Sequence, residues 1–271
     1  MVRSQGAAGS KSADPSEDEV TAVRRGPAGA EQRASSAEEL LHKAMAARSA
    51  AARARWARQG LATRAPLDKT TQAMLLRQLY LSAFEARRFQ RAREIALQAI
   101  ELGVMVDVLQ QDAARAAIGA GDLDAAVMHL RVAARRGPAS RRPFHWWTLG
   151  SALFLGHRYA EAIAALERAV RWGTRDKPLY RAHLALARIA AGERVAGLQD
   201  VIDELASAPC GQGYGRFVLG HLAYAAGEWT AARRYLEGFV ARTASSRGPL
   251  AIALRPEVEM SRSTLAKMAA N

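Results

Sequence analysis

The stretch HRYAEAIAALERAVRWG, residues 157–173, decides how this chain is read. Ala162, Leu166, Ala169 and Val170 recur at three- and four-residue steps, the spacing of one helix face. His157 and Arg158 mark a turn just before that helix. Residues 227–243, GEWTAARRYLEGFVART, repeat the shape seventy residues later, with Ala232 and Leu236 in the places of Ala162 and Leu166.

Working outward, from about residue 72 the chain reads as pairs of helical stretches joined by tight turns, with no alternating strand pattern. The turns fall at Gly121-Asp122, His157-Arg158, Gly192-Glu193 and Gly227-Glu228. A small residue follows each on the second helix: Ala126, Ala162, Gly197 and Ala232, with Ala92 doing the same after ARRF. The steps between them are 34, 36, 35 and 35 residues. Two helices cross closely only where a side chain is small, so these positions are expected at the contacts, with Gly150 and Gly220 opposite. Self-similarity at that period predicts an all-α fold, a helical solenoid whose units bury their apolar faces by stacking.

Several residues carry a family likeness. In FHWWTLGSALFLGHRYAEAIAALERAV, Trp146, Leu149, Gly150, Tyr159, Ala162, Leu166, Ala169 and Val170 run large, large, small, aromatic, small, large, small, apolar. Leu219, Gly220, Gly227, Trp229, Ala232 and Leu236 repeat the order, and Pro138 and Pro209 stand between units. This resembles the tetratricopeptide repeat (TPR) family over residues 72–243, in about five units. Tyr80, Arg194 and Glu204 depart from the family pattern, and the loop RRGPASRRP, residues 135–143, lengthens the third unit.

The flanks differ in composition. Residues 1–35 are Gly, Ala, Ser and cancelling charge, and read as a disordered tail. Residues 36–66 read as a basic helix and linker. Ser36 and Glu39 form a capping box, and the helix is expected to run to about Gln59. Its stripe of Leu41, Met45, Ala52 and Trp56 is interrupted by Arg48 and Arg55. It either caps the repeats, with arginine stems lying over it, or lies on a membrane surface. In 244–271, Pro256 is expected to open a second capping helix with Val258, Leu265 and Met268 as its apolar side.

The totals bound the function. The single cysteine, Cys210, excludes an internal disulfide. No apolar run approaches the roughly 20 residues of a membrane span, and no hydrophobic signal core opens the sequence, so a cytoplasmic protein is expected. The net charge of +13 comes from 34 Arg against 5 Lys. That fits an acidic partner, or a composition in which Arg is the default solvated residue. No metal-ligand spacing links the six histidines, no phosphate loop is present, and the GQGYG run (211–215) follows no strand. Neither an enzyme, a cofactor nor a metal is expected.

The family resemblance implies that the concave face, lined by the first helix of each unit, binds a partner protein segment. Carried over by position, Arg77, Phe84, Arg115, Trp147, Phe154, Phe217, His221 and Tyr224 are the leading groove residues. Met74, Leu81, Ile118, Phe144, Ser151 and Tyr214 line it beside them. The Lys and Asn positions with which some members clamp a chaperone tail hold Arg77, Leu81, Gln111 and Arg115, so that role is not expected. The function that follows is a non-enzymatic adaptor. The alternatives are nucleic-acid association through a basic patch of Arg131, Arg135, Arg136, Arg141 and Arg142, and a structural subunit of a larger assembly.

Overall fold

The computed structural model describes residues 36–246 and 248–270; the expected tail, 1–35, lies outside them. The described residues are all-helical, and the helices pack consecutively along the chain. Ser36 caps α1 (Ala37–Ala46) by accepting from the Glu39 amide. The expected continuous helix breaks after it: Ala47 turns extended, and Ser49 accepts from the Ala52 amide to start α2 (Ala50–Leu61). A second cap residue, overlooked in the sequence, makes that break. Arg55 lies over the Trp56 ring, as the stripe with interleaved arginines suggests, whereas Met45 is exposed.

Five helical hairpins follow. They are α3 (Lys69–Glu85) with α4 (Phe89–Ile100), α5 (Val106–Gly119) with α6 (Leu123–Arg136), α7 (Arg142–Leu155) with α8 (Tyr159–Trp172), α9 (Lys177–Ala190) with α10 (Leu198–Ser207), and α11 (Gly215–Ala225) with α12 (Trp229–Ser245). One turn construction ends every first helix. Arg87, Gly121, His157, Gly192 and Gly227 all take a left-handed backbone, φ between 55° and 86°. The next amide then reaches back five residues: Arg88 to Ala83, Asp122 to Ala117, Arg158 to Leu153, Glu193 to Arg188, Glu228 to Ala223. This is the Schellman closure, which satisfies carbonyls that a helix end leaves open and is easiest with glycine.

The small residues sit where the opening stretch places them. Ala92, Ala126, Ala162 and Ala232 are fully buried. A Cβ on Gly150 would stand 2.6 Å from Leu166 Cγ, and one on Gly220 would stand 2.6 Å from Leu236 Cγ, so side chains there would prise the pairs apart. Gly197 differs from the other four. It is not on the second helix but caps α10 in a left-handed conformation, and the helix behind it has only 10 residues. Correspondingly, α9 packs against α11 as well as α10.

Polar ties also lock neighbouring hairpins. Asp107 accepts from His145 Nε2 at 2.9 Å, and the other ring nitrogen of His145 meets Gln111 Nε2 at 2.8 Å. Within the second hairpin, His129 Nδ1 meets Gln110 at 2.6 Å. After α12, the short α13 (Pro249–Ala253) crosses to α3 and α5, and α14 (Arg255–Ala270) returns to pack on α12 and α11. The buried face of α14 is Glu257, Ser261, Thr264 and Met268. Of the expected apolar side, Met268 is buried while Val258 and Leu265 are half-buried. Among the described residues no helix is long and apolar enough to cross a membrane.

Candidate functional site

The α12–α14 connection, with residues of α3, α5 and α7, walls a cavity of about 550 Å³. Leu81, Ile118, Phe144 and Trp147 form one side, and Leu250 and Leu254 of the crossing segment form the other. Two of these are exposed at the surface, Phe144 by 39% and Leu250 by 58%. Exposed apolar side chains beside an apolar hollow are typical of binding sites.

Polar groups gather at two places on this wall. Asp112, almost wholly buried, is held between Arg77 at 2.6 Å and Arg115 at 3.3 Å. The acid therefore offsets one of the two arginines expected to meet an acidic partner. Elsewhere, Tyr214 donates to Glu257 Oε1 at 3.3 Å, and Ser151 Oγ lies 2.7 Å from the Tyr214 hydroxyl. A hydroxyl has one proton, so with Tyr214 donating to Glu257, Ser151 donates to Tyr214. Glu257 Oε2 is buried with no hydrogen-bond partner among the described residues.

Glu257 is 5% exposed. Burial pushes its carboxyl up to about 7, against the weaker pull of backbone and Tyr214 hydrogen bonds. Burial, with this carboxyl beside it, also raises the Tyr214 hydroxyl well above its ordinary range. In the unfolded chain Glu257 ionises near 4.5, so the fold binds the proton more tightly and loses stability as pH rises from 4.5 to 7. The loss is on the order of 3 kcal/mol. Glu257→Gln is accordingly expected to be more stable than the native chain by about 2–3 kcal/mol at pH 8 and equal to it at pH 4.5. Urea unfolding at the two pH values checks this, and equal stability at both would contradict it.

The structure brings together at this cavity Phe84, Arg115, Trp147, Leu81, Ile118, Phe144, Ser151 and Tyr214 of the expected groove. Arg77, Phe154, Phe217, His221 and Tyr224 do not line it. Phe154, Phe217 and His221 are buried, and Phe84 borders the cavity from within the core. Phe217 packs against Tyr214, His221 and Phe239, and Phe154 against Tyr159 and His183. A first helix touches neighbours on both sides, and sequence spacing does not tell the side facing the next hairpin from the side facing the hollow. Arg77 is tied to Asp112, and Tyr224 stacks edge-on against Trp229. Glu257 escaped sequence reading because its helix buries a polar face.

Trp147 donates to His183 Nδ1 at 3.1 Å, so the His183 proton sits on Nε2, which is buried without a partner. His221 Nε2 is likewise unpartnered. Burial holds His183 down at about 3, with His221 adding to the effect, and holds His221 down at about 4.

The basic patch is largely engaged. Arg131 pairs with Glu161 and Arg141 with Asp107. Arg142 donates to the Gly137 carbonyl and lies over the Trp172 ring. Of these five arginines, Arg135 and Arg136 are exposed and make no ion pair with the described residues. The GQGYG run forms the short turn between α10 and α11. Among the described residues no group of three or more His, Cys, Asp or Glu is placed to hold a metal ion. No protein-family model matches the chain, and no curated protein does either.

Proposed function

We propose that this chain is a tetratricopeptide-type solenoid of about five repeats that works as a non-enzymatic adaptor, binding a segment of a partner protein along its inner face. The observation that carries the reading is the apolar cavity between α3, α5, α7 and the crossing segment, with Phe144 and Leu250 exposed beside it. Aromatic anchors that bury fully on binding carry most of the energy of such contacts. Trp147 and Phe144, with ring centroids 5.7 Å apart, are those anchors.

The nucleic-acid alternative draws little from the structure, because Arg131, Arg141 and Arg142 already have partners within the fold. Phosphate contacts need guanidinium groups that are free to turn outward.

The test is capture of a partner from cell extract on the tagged full-length chain, with nuclease and moderate salt. Phe144→Ala/Leu250→Asp is expected to weaken capture of a defined protein at least 10-fold, from the loss of about 2 kcal/mol of anchor energy. Arg135→Glu/Arg136→Glu is expected to leave it unchanged. Capture that ignores the first variant and vanishes with the second, or with nuclease, would overturn the proposal.

A further inference from the structure

The cavity wall has one polar group whose bonding is incomplete. Both hydroxyl protons of the Ser151–Tyr214–Glu257 chain are used within it, Ser151 to Tyr214 and Tyr214 to Glu257. What remains is Glu257 Oε2, buried and without a partner among the described residues, and an acceptor once the carboxyl is ionised. A buried polar atom left unpaired is costly, and a carboxylate more so. The group that completes it is a donor, and a cationic donor restores charge balance as well.

The other charged groups do not compete for this role. Asp112 is already shared by Arg77 and Arg115. Arg242 also borders the cavity but is exposed to solvent. An anionic guest would sit in a hollow walled by a carboxyl group and by Leu250, Leu254 and Trp147. A guest with an apolar stem and an ammonium end matches both the walls and the unpartnered oxygen.

We infer that the cavity takes a primary ammonium group on an apolar stem, bound by Glu257 Oε2 with the stem against Trp147, Leu250 and Leu254. This rests on the reading of the cavity as the binding site. Since that reading places a partner segment here, the ammonium is a lysine side chain of that segment, flanked by apolar residues.

The test titrates the full-length chain at pH 8, where the Glu257 carboxyl is ionised, with octylamine, octanol and octanoate, three guests of one length and different heads, by calorimetry. Octylamine is expected to bind at least 10-fold more tightly than the other two, and Glu257→Gln to abolish the difference. A short peptide with lysine between leucines is expected to compete with octylamine, and its norleucine counterpart to compete less well. If octanol or octanoate binds as tightly as octylamine, or if the preference survives Glu257→Gln, the ammonium assignment fails while the cavity stands. If the amine is preferred but the lysine peptide does not compete, the guest is a free amine and the lysine assignment falls. If none of the three binds, the cavity reading and the ammonium assignment fall together. The native chain alone decides among the three heads, so the outcome does not depend on how the variant folds.

Discussion

Phe217→Ala is expected to cost about 3–5 kcal/mol of folding stability, the usual loss when a fully buried aromatic ring is removed. Phe217 is 0% exposed and packs against rings from three helices: Tyr214 and His221 nearby in sequence, His183 on α9 and Phe239 on α12. These neighbours are held by their own helices and cannot close the space left behind. Phe144→Ala is expected to cost under about 1 kcal/mol, because its ring is already partly in water. Urea unfolding of the two variants separates a core ring from a surface one. A loss below about 1 kcal/mol for Phe217→Ala would mean that the ring is not packed as described.

Acid is expected to unfold the protein through buried neutral histidines. His183 and His221 take up protons near 6.5 when unfolded, but only near 3 and 4 when folded. Their contribution is therefore fully present above pH 6.5 and is lost as pH falls toward those folded values. Burial pushes His129 and His145 down as well, so their effect has the same sign. Glu257 opposes this, gaining stability as pH falls from 7 to 4.5. For His183, His221 and Glu257 together, the loss between pH 6.5 and 4.5 is about 2 kcal/mol. His221→Leu removes a buried unpaired nitrogen at similar volume and is expected to flatten this acid limb. Glu257→Gln is expected to steepen it about twofold. Unfolding free energies measured from pH 7 down to pH 4.5 would contradict the account if all three proteins ran parallel.

Much of the scaffold is legible in the sequence because its determinants are local. A glycine, or a tolerated His157 or Arg87, marks each left-handed turn, and in four of the five hairpins an alanine five residues later marks the close crossing. The break at residues 47–49 is harder to read, since it depends on whether Ser49 acts as a cap or sits inside a helix. The fourth hairpin is harder still, because Gly197 serves as a turn and not as a contact.

The site is only half legible. Spacing places Phe144, Trp147, Ser151 and Tyr214 on first helices, and these do meet at the cavity. The same spacing puts Phe154 and Phe217 among them, although the adjoining hairpins cover both. Glu257 has no sequence signal at all. The buried face of α14 carries Glu257, Ser261 and Thr264 where hydropathy expects apolar residues, and only the crossing of α13 over α3 and α5 brings that carboxyl to the cavity.

Site-specific photo-crosslinking reads out whether partners bind at this cavity. A benzophenone side chain would be placed in turn at Phe144, at Leu250 and at Trp172, which is exposed outside the cavity. After irradiation in cell extract, one shared crosslinked protein is expected at positions 144 and 250 and none at 172. Crosslinks confined to position 172, or different proteins at 144 and 250, would contradict binding at the cavity.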